Sequence, residues 1–212
     1  MTTRPPLVFI VDDDQDIRTS LTRALGQRGY EVEAYASAAS FLDAYDGTRA
    51  ACLVLDYGMP GMNGLELQQE LNRRNWPLAV VFITGHGGVP ESVQAMKGGA
   101  VDFLEKPFRQ SDLLDRIATA YQMASARMAD TASQDALRER FARLTDREAE
   151  VVNHVLANPA EVSSKEIGGA LGISPRTVDH HRARILEKIG VKSLVELVRL
   201  AATLQDDGPL RP

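Results

Sequence analysis

Three consecutive carboxylates, Asp12, Asp13 and Asp14, follow the apolar run LVFIV at residues 7–11. Adjacent acids repel one another and cost stability unless a cation joins them. A solvated loop in which one Asp caps the next helix would account for such a run taken alone. Other apolar runs, however, also end in residues capable of chemistry. ACLVL (51–55) delivers Asp56, AVVFI (79–83) delivers Thr84, and VDFL (101–104) leads through a glutamate to Lys106. Singly, each is an ordinary turn or strand-end residue. In this order on successive strands they describe one crevice holding carboxylates, a hydroxyl and an amine. Mg2+ takes hard oxygen ligands and keeps some of its waters, so two or three carboxylates suffice to hold it. One carboxylate can then act as nucleophile and form an acyl phosphate. Lys106 would neutralise charge on the transferred group, and Thr84 would donate a hydrogen bond to its oxygens.

The elements that must position these groups fall into two sets. Residues 7 to about 108 alternate short apolar runs, VEAY (32–35) among them, with helix-like stretches such as 15–28 and 64–74. Near-continuous apolar strands are buried on both faces, as in a parallel sheet covered by helices. Five such repeats predict a doubly wound α/β domain, whose ligands bind beyond the carboxyl ends of the strands. From Phe108 to Ala157 there is neither proline nor glycine, and Leu114, Ile117, Tyr121, Ala124 and Met128 keep helical spacing before it fades. The spacing predicts a last helix running into a helical or partly flexible linker. The expected organisation is a first domain at 1–122, a linker at 123–140 and a small all-α domain at 141–206.

In that second domain TDRE (145–148), SSKE (163–166) and SLVE (193–196) match the capping-box pattern. SPRT (174–177) offers a Ser N-cap with proline at the first helical position. Gly172 and Gly190 sit where helices should close. Four short helices follow, and 164–190 has helix–turn–helix rhythm. On the second of these helices Val178, His181, Ile185 and Ile189 share an inward face, opposite Arg176, His180, Ala183, Arg184 and Glu187. Six cations and three acids between Lys165 and Lys192 leave a local charge of +3 in a chain of net charge −5. That is a modest footprint for binding phosphate backbones. His180 and His181 are adjacent on a helix and point about 100° apart, so they do not chelate a metal together.

Composition is that of a globular protein, with 44% hydrophobic and 25% charged residues among 212. No run of about 18 apolar residues predicts a transmembrane helix, and the N-terminal stretch has no signal-peptide pattern. Cys52 is the single cysteine, which excludes an internal disulfide. The expected location is cytoplasmic.

The stretches VFIVDDD, LVLDYGMPGMNG, VFITGHG and GAVDFLEKPF resemble the receiver domain of two-component response regulators over roughly residues 6–122. The resemblance implies Asp56 as phosphoacceptor. Asp12, Asp13 and Asp56, with the backbone carbonyl of Gly58, would hold Mg2+ or Mn2+. Asp14 is left as a solvated residue or helix N-cap. Thr84 and Lys106 match the family's phosphate-contacting pair, and Phe103 its switch aromatic, which is often tyrosine. Position 58 is often a large polar or basic side chain in this family; glycine here removes the group that would shield the phosphoryl.

LTDREAEVV and SSKEIGGALGISPRTVDHHRARILEKIGVKSLVELVRLA resemble the LuxR-type DNA-binding domain. The whole chain is similar to the NarL/FixJ class, with TGHG (84–87) and ISPRTV (173–178) most like its FixJ branch. In such domains the second helix enters the major groove. By position, Asp179, His180 and Ala183 would face bases, with Arg184 beside them, and Lys165, Arg176, Thr177, Arg182 and Lys188 would contact the DNA backbone. LANPAEVSSKEI (156–167) is about three residues longer than the usual turn, which places Pro159 on a surface excursion. The implied partners are a histidine kinase, double-stranded promoter DNA and a second copy of the chain paired through residues about 89–104, with RNA polymerase open to a regulator of this kind. An enzyme of the aspartyl-phosphate type would use the same acids, but about a hundred residues leave no room for a substrate pocket. A helical output that binds protein is the third alternative.

Overall fold

The computed structural model describes residues 4–85 and 89–204. The chain divides into two compact units, Met1–Ala129 and Asp130–Pro212.

The first unit holds β1 (Leu7–Val11), α1 (Gln15–Gly26), β2 (Glu31–Tyr35), α2 (Ala38–Ala44), β3 (Ala51–Asp56), α3 (Gly64–Arg74), β4 (Leu78–Thr84), α4 (Val89–Lys97), β5 (Asp102–Glu105) and the first part of α5 (Gln110–Ala142). All strands pair in parallel, in the order β2-β1-β3-β4-β5. Every residue of β1, β3 and β4 is buried. Their continuous apolar runs therefore serve two cores. Phe9, Leu53, Leu55 and Phe82 pack with Phe41, Leu67 and Ala95 from α2, α3 and α4. Ile10, Val54, Val81 and Ile83 pack with Leu25 from α1 and with Leu113, Ile117, Ala120 and Ala124 from α5. This is the doubly wound five-stranded sheet that the repeats predict. The edge strands β2 and β5 are only partly buried, which is why their apolar signal is shorter. The chain runs from β1 to β2 on one side and then crosses back over β1 to β3 on the other, so the ends of β1 and β3 flank the switch point of the sheet.

The second unit comprises the end of α5 from Asp130, then α6 (Asp146–Ala157), α7 (Ser164–Leu171), α8 (Pro175–Ile189) and α9 (Leu194–Ala202). Thr145 and Ser163 form complete capping boxes with Glu148 and Glu166, and Ser174 caps α8 ahead of Pro175. At Ser193 only half of the box forms. Its side chain accepts from the Glu196 backbone N–H, but the Glu196 carboxylate takes the backbone N–H of Lys192. Gly172 and Gly190 close α7 and α8 at φ 67° and 77°, the left-handed region that glycine adopts without steric cost.

Residues 123–140, expected as a linker, are helical throughout and are shared between the two cores. Ala124 is buried in the first unit, and Arg127 donates to the carbonyl of Leu78. Leu137 and Phe141 are buried in the second unit, where Arg140 donates to the carbonyl of Ile189. The second core thus takes apolar residues from five helical segments rather than four. Among the described residues no helix is long and apolar enough to cross a membrane.

Candidate functional site

The acids at the carboxyl ends of β1 and β3 meet through one lysine. Asp12 follows β1 directly and is 1% exposed; Asp56 ends β3 and is 7% exposed. Lys106 Nζ donates to Asp12 Oδ2 and to Asp56 Oδ1, at 2.8 Å each. The remaining oxygens are also held. Asp12 Oδ1 accepts from the Asp14 backbone N–H at 2.8 Å, and Asp56 Oδ2 from that of Gly58 at 2.7 Å. Two buried carboxylates without a counter-charge would be strongly unfavourable, and the lysine removes that cost. Burial disfavours the Lys106 ammonium, but its hydrogen bonds with Asp12 and Asp56 outweigh burial and raise its pKa above the usual lysine value.

Backbone bonds fix this geometry. Asp12 N–H donates to the Tyr35 carbonyl, and the Arg18 guanidinium donates to the Asp12 carbonyl at 2.7 Å. Lys106 N–H donates to the carbonyl of Thr84, which ends β4 and is 3% exposed. Asp13 is exposed beside this group. Asp14 instead caps α1, accepting from the backbone of Asp16 and Ile17. Gly64 brings α3 against the end of β3, since a Cβ there would lie 2.5 Å from the Asp56 carbonyl oxygen. Gly58 differs: a Cβ would meet only Asp56 Oδ2, at 3.8 Å.

Among the described residues no group of three or more His, Cys, Asp or Glu side chains is arranged to enclose a metal ion. The donor set nevertheless fits a hard divalent cation in chemistry. Asp12, Asp13 and Asp56 against Lys106 leave two surplus negative charges at a partly open sheet edge. Such oxygen donors suit Mg2+, which needs few protein ligands.

Phe103 packs in a ring group with Phe82 and Tyr57. Of the TGHG motif, Thr84 and Gly85 are described; His86 and Gly87 lie outside the described residues.

In the second unit α8 buries Val178, Ile185 and Ile189, with His181 half-buried. Arg176, Thr177, Asp179, His180, Ala183, Arg184 and Glu187 are exposed, as is Lys165 on α7. Two of the expected DNA contacts are engaged inside the domain. Ser164 at the start of α7 donates to Asp179 and accepts from Arg182, which also reaches the Val162 carbonyl. These bonds stitch α8 to α7. Lys188 departs further from expectation. It donates at 2.6 Å to Glu148, which is 1% exposed, and to the carbonyl of Arg143. Its ammonium neutralises a buried acid, and it is withdrawn from the DNA-facing set for that reason. Burial pushes the Glu148 carboxyl up, but Lys188 and the Thr145 N–H outweigh burial and hold it below the usual carboxylate range. No local pattern announces a pair 40 residues apart. Pro159 is exposed in the long turn, and Glu161 there lies 3.9 Å from His154.

Comparison with known proteins agrees with this division. Residues 8–118 match the response regulator receiver domain, and 142–201 match the bacterial regulatory proteins of the luxR family. Nodulation protein W of Bradyrhizobium diazoefficiens is 39% identical over 198 residues, which is 93% of this chain and 86% of that protein. The transcriptional regulatory protein FixJ of the same organism is 40% identical over 195 residues, 92% of this chain and 93% of that one. Among solved structures, the response regulator StyR superposes with a TM-score of 0.82 at 41% identity, covering 94% of this chain and 99% of that chain. The chain belongs to the response regulators that join a receiver to a LuxR-type helix–turn–helix domain, and it is a phosphorylation-controlled DNA-binding transcription regulator.

Proposed function

We propose that Asp56 is the phosphoacceptor and that its modification drives pairing and promoter binding. The observation that carries this reading is the placement of Asp12, Asp56 and Lys106 within one hydrogen-bonded group. A carboxylate oxygen of Asp56 attacks the phosphorus of a phosphohistidine on a histidine kinase. The O–P bond forms as the P–N bond breaks, and the imidazole leaves with its electron pair. Asp12, Asp13, Asp56 and the Gly58 carbonyl would hold Mg2+ or Mn2+, which when bound offsets charge on the transferring oxygens. Lys106 supplies a second, fixed positive charge, and Thr84 donates a hydrogen bond to a phosphoryl oxygen. Hydrolysis of the acyl phosphate by water resets the domain, so the chain acts on its own residue and has no separate substrate.

Phosphorylation would draw Thr84 and Phe103 inward and change the surface at 89–104. Val93 and Met96 on α4 are 43% and 47% exposed, an apolar pair suited to a second copy of the chain. Pairing brings two α8 helices onto two half-sites. His180, Ala183 and Arg184 then face base edges, while Lys165, Arg176 and Thr177 contact phosphates; Asp179 and Arg182 hold the angle of α8 on α7. The test is Asp56→Asn in the full chain with a small phosphodonor. Sedimentation should show pairing of the wild type only, together with a gain in DNA affinity. Donor-dependent pairing of the variant would refute the mechanism.

A further inference from the structure

Phe103 carries no hydroxyl, yet a hydroxyl stands beside it. Tyr57, the residue after Asp56, packs edge-on to Phe103, with ring centroids 6.3 Å apart and planes at 71°. Phe82 closes the group at 6.2 Å from each of them. The rings belong to neighbouring strands or strand ends, and packed interiors have little free volume, so rotation of one ring displaces the others. The Tyr57 backbone is held on both sides: its N–H donates to Ile83, and its carbonyl accepts from Gly64. Any movement is therefore left to the side chain.

The second observation lies on α4. Glu91, in the first turn of that helix, has Oε2 buried, with no hydrogen-bond partner among the described residues. A buried carboxylate oxygen is costly unless a donor reaches it in some state of the molecule. Tyr57 packs against the core that contains Ala95 of α4. Glu91 lies four residues before Ala95, on the same face of that helix, so the Tyr57 ring lies against the side of α4 that carries Glu91.

We propose that Tyr57 supplies the switch hydroxyl of this chain: when Phe103 turns inward, the Tyr57 ring swings with it and donates a hydrogen bond to the free oxygen of Glu91. The inference rests on the reading of Asp56 as phosphoacceptor. It makes the residue next to Asp56 the mechanical link to α4, the helix that exposes Val93 and Met96. A phenylalanine at 103 then needs no hydroxyl of its own, because the ring it pushes carries one.

The test uses the full chain with acetyl phosphate as donor, following label on Asp56 and pairing by sedimentation. Tyr57→Phe should take up label as the wild type does, which also reports that the domain is folded. Its phosphorylation-driven pairing should weaken by about tenfold, the scale of one hydrogen bond to a charged group. Glu91→Ala should weaken pairing equally, and the double variant no further, because both changes remove the same bond. Glu91→Gln keeps an acceptor and should retain more pairing than Glu91→Ala. Wild-type pairing by Tyr57→Phe, loss of its label, or additive losses in the double variant would each overturn the proposal. Absence of label on the wild-type chain overturns the phosphoacceptor reading itself, so the two failures are told apart.

Discussion

The Lys188 ammonium lies 2.6 Å from the Glu148 carboxylate, joining the end of α8 to the first turn of α6. Glu148 is buried and has its folded-state pKa below the ordinary 4.5. A depressed carboxylate pKa contributes stability that is fully present above the unfolded value and is lost as pH falls through the folded one. The second unit should therefore lose stability below about pH 4.5 as Glu148 is protonated. Lys188→Met leaves Glu148 buried without its counter-charge and should cost about 3–5 kcal/mol at neutral pH. That cost should shrink on acidification, because a protonated Glu148 needs no cation. Urea unfolding of wild type and variant at pH 7 and pH 4 checks both signs; a pH-independent cost would mean the pair is not the cause.

Lys106 occupies the two carboxylates, Asp12 and Asp56, that are proposed to hold a divalent cation. If Asp12 and Asp56 hold Mg2+, the cation must share them with an ammonium already bonded to both. Lys106→Met should accordingly bind Mg2+ more tightly while slowing phosphoryl uptake, by about 10²–10³ where one preorganised charge is removed. Mg2+ should stabilise the wild-type chain by about 2.7 kcal/mol at a hundredfold excess over Kd, read as a rise in Tm, and Asp12→Asn should abolish that rise. Thermal melts against Mg2+, run beside acetyl phosphate kinetics, separate the two effects. Tighter binding with unchanged kinetics would remove Lys106 from the chemistry.

Arg176 and His180 are both exposed on α8 but should fail differently. Arg176 lies in the first turn, where a cation suits phosphate contact and carries no sequence information. Arg176→Ala should weaken binding to every duplex alike and reduce the slope of log K against log salt by about one. His180→Ala should leave that slope and change base preference, at about 1–3 kcal/mol for the affected base pair. Selection from random duplexes, followed by salt titration, reads both. Equal salt slopes in wild type and Arg176→Ala would place the arginine elsewhere.

What could be read from the residues alone follows a physical division. Asp12, Asp56, Thr84 and Lys106 were legible because parallel strands deliver their last residues to one edge, and the apolar runs of β1, β3 and β4 mark those ends plainly. Caps were legible because they are local: Thr145, Ser163 and Ser174 each bond within four residues. The pairs that bridge elements left no such trace. Lys188 with Glu148, Ser164 with Asp179, and Tyr57 with Phe103 depend on how helices and strands pack, which neither spacing nor composition encodes. The same limit hides which residues of α5 serve which core. An alanine-rich, polar surface looks like a linker, although Ala124, Leu137 and Phe141 each serve a core.

Gly64 and Gly58 flank the loop after Asp56, the proposed phosphoacceptor, and should respond oppositely to a side chain. At Gly64 a Cβ would lie 2.5 Å from the Asp56 carbonyl oxygen and 2.8 Å from the Phe82 ring, so Gly64→Ala must push α3 off the sheet. Overpacking of this kind costs about 1–3 kcal/mol. At Gly58 the Cβ meets only Asp56 Oδ2, at ordinary contact distance. Gly58→Ala should thus be tolerated, and Gly58→Arg can place a guanidinium beside the Asp56 carboxylate. With Asp56 as the proposed phosphoacceptor, the arginine should lengthen the acyl-phosphate lifetime by excluding water and pairing with the phosphoryl oxygens. Release of inorganic phosphate from the labelled full chain, followed after the donor is removed, measures it. A decay rate in Gly58→Arg equal to the wild type would show that the open position beside Asp56 does not set how long the signal lasts.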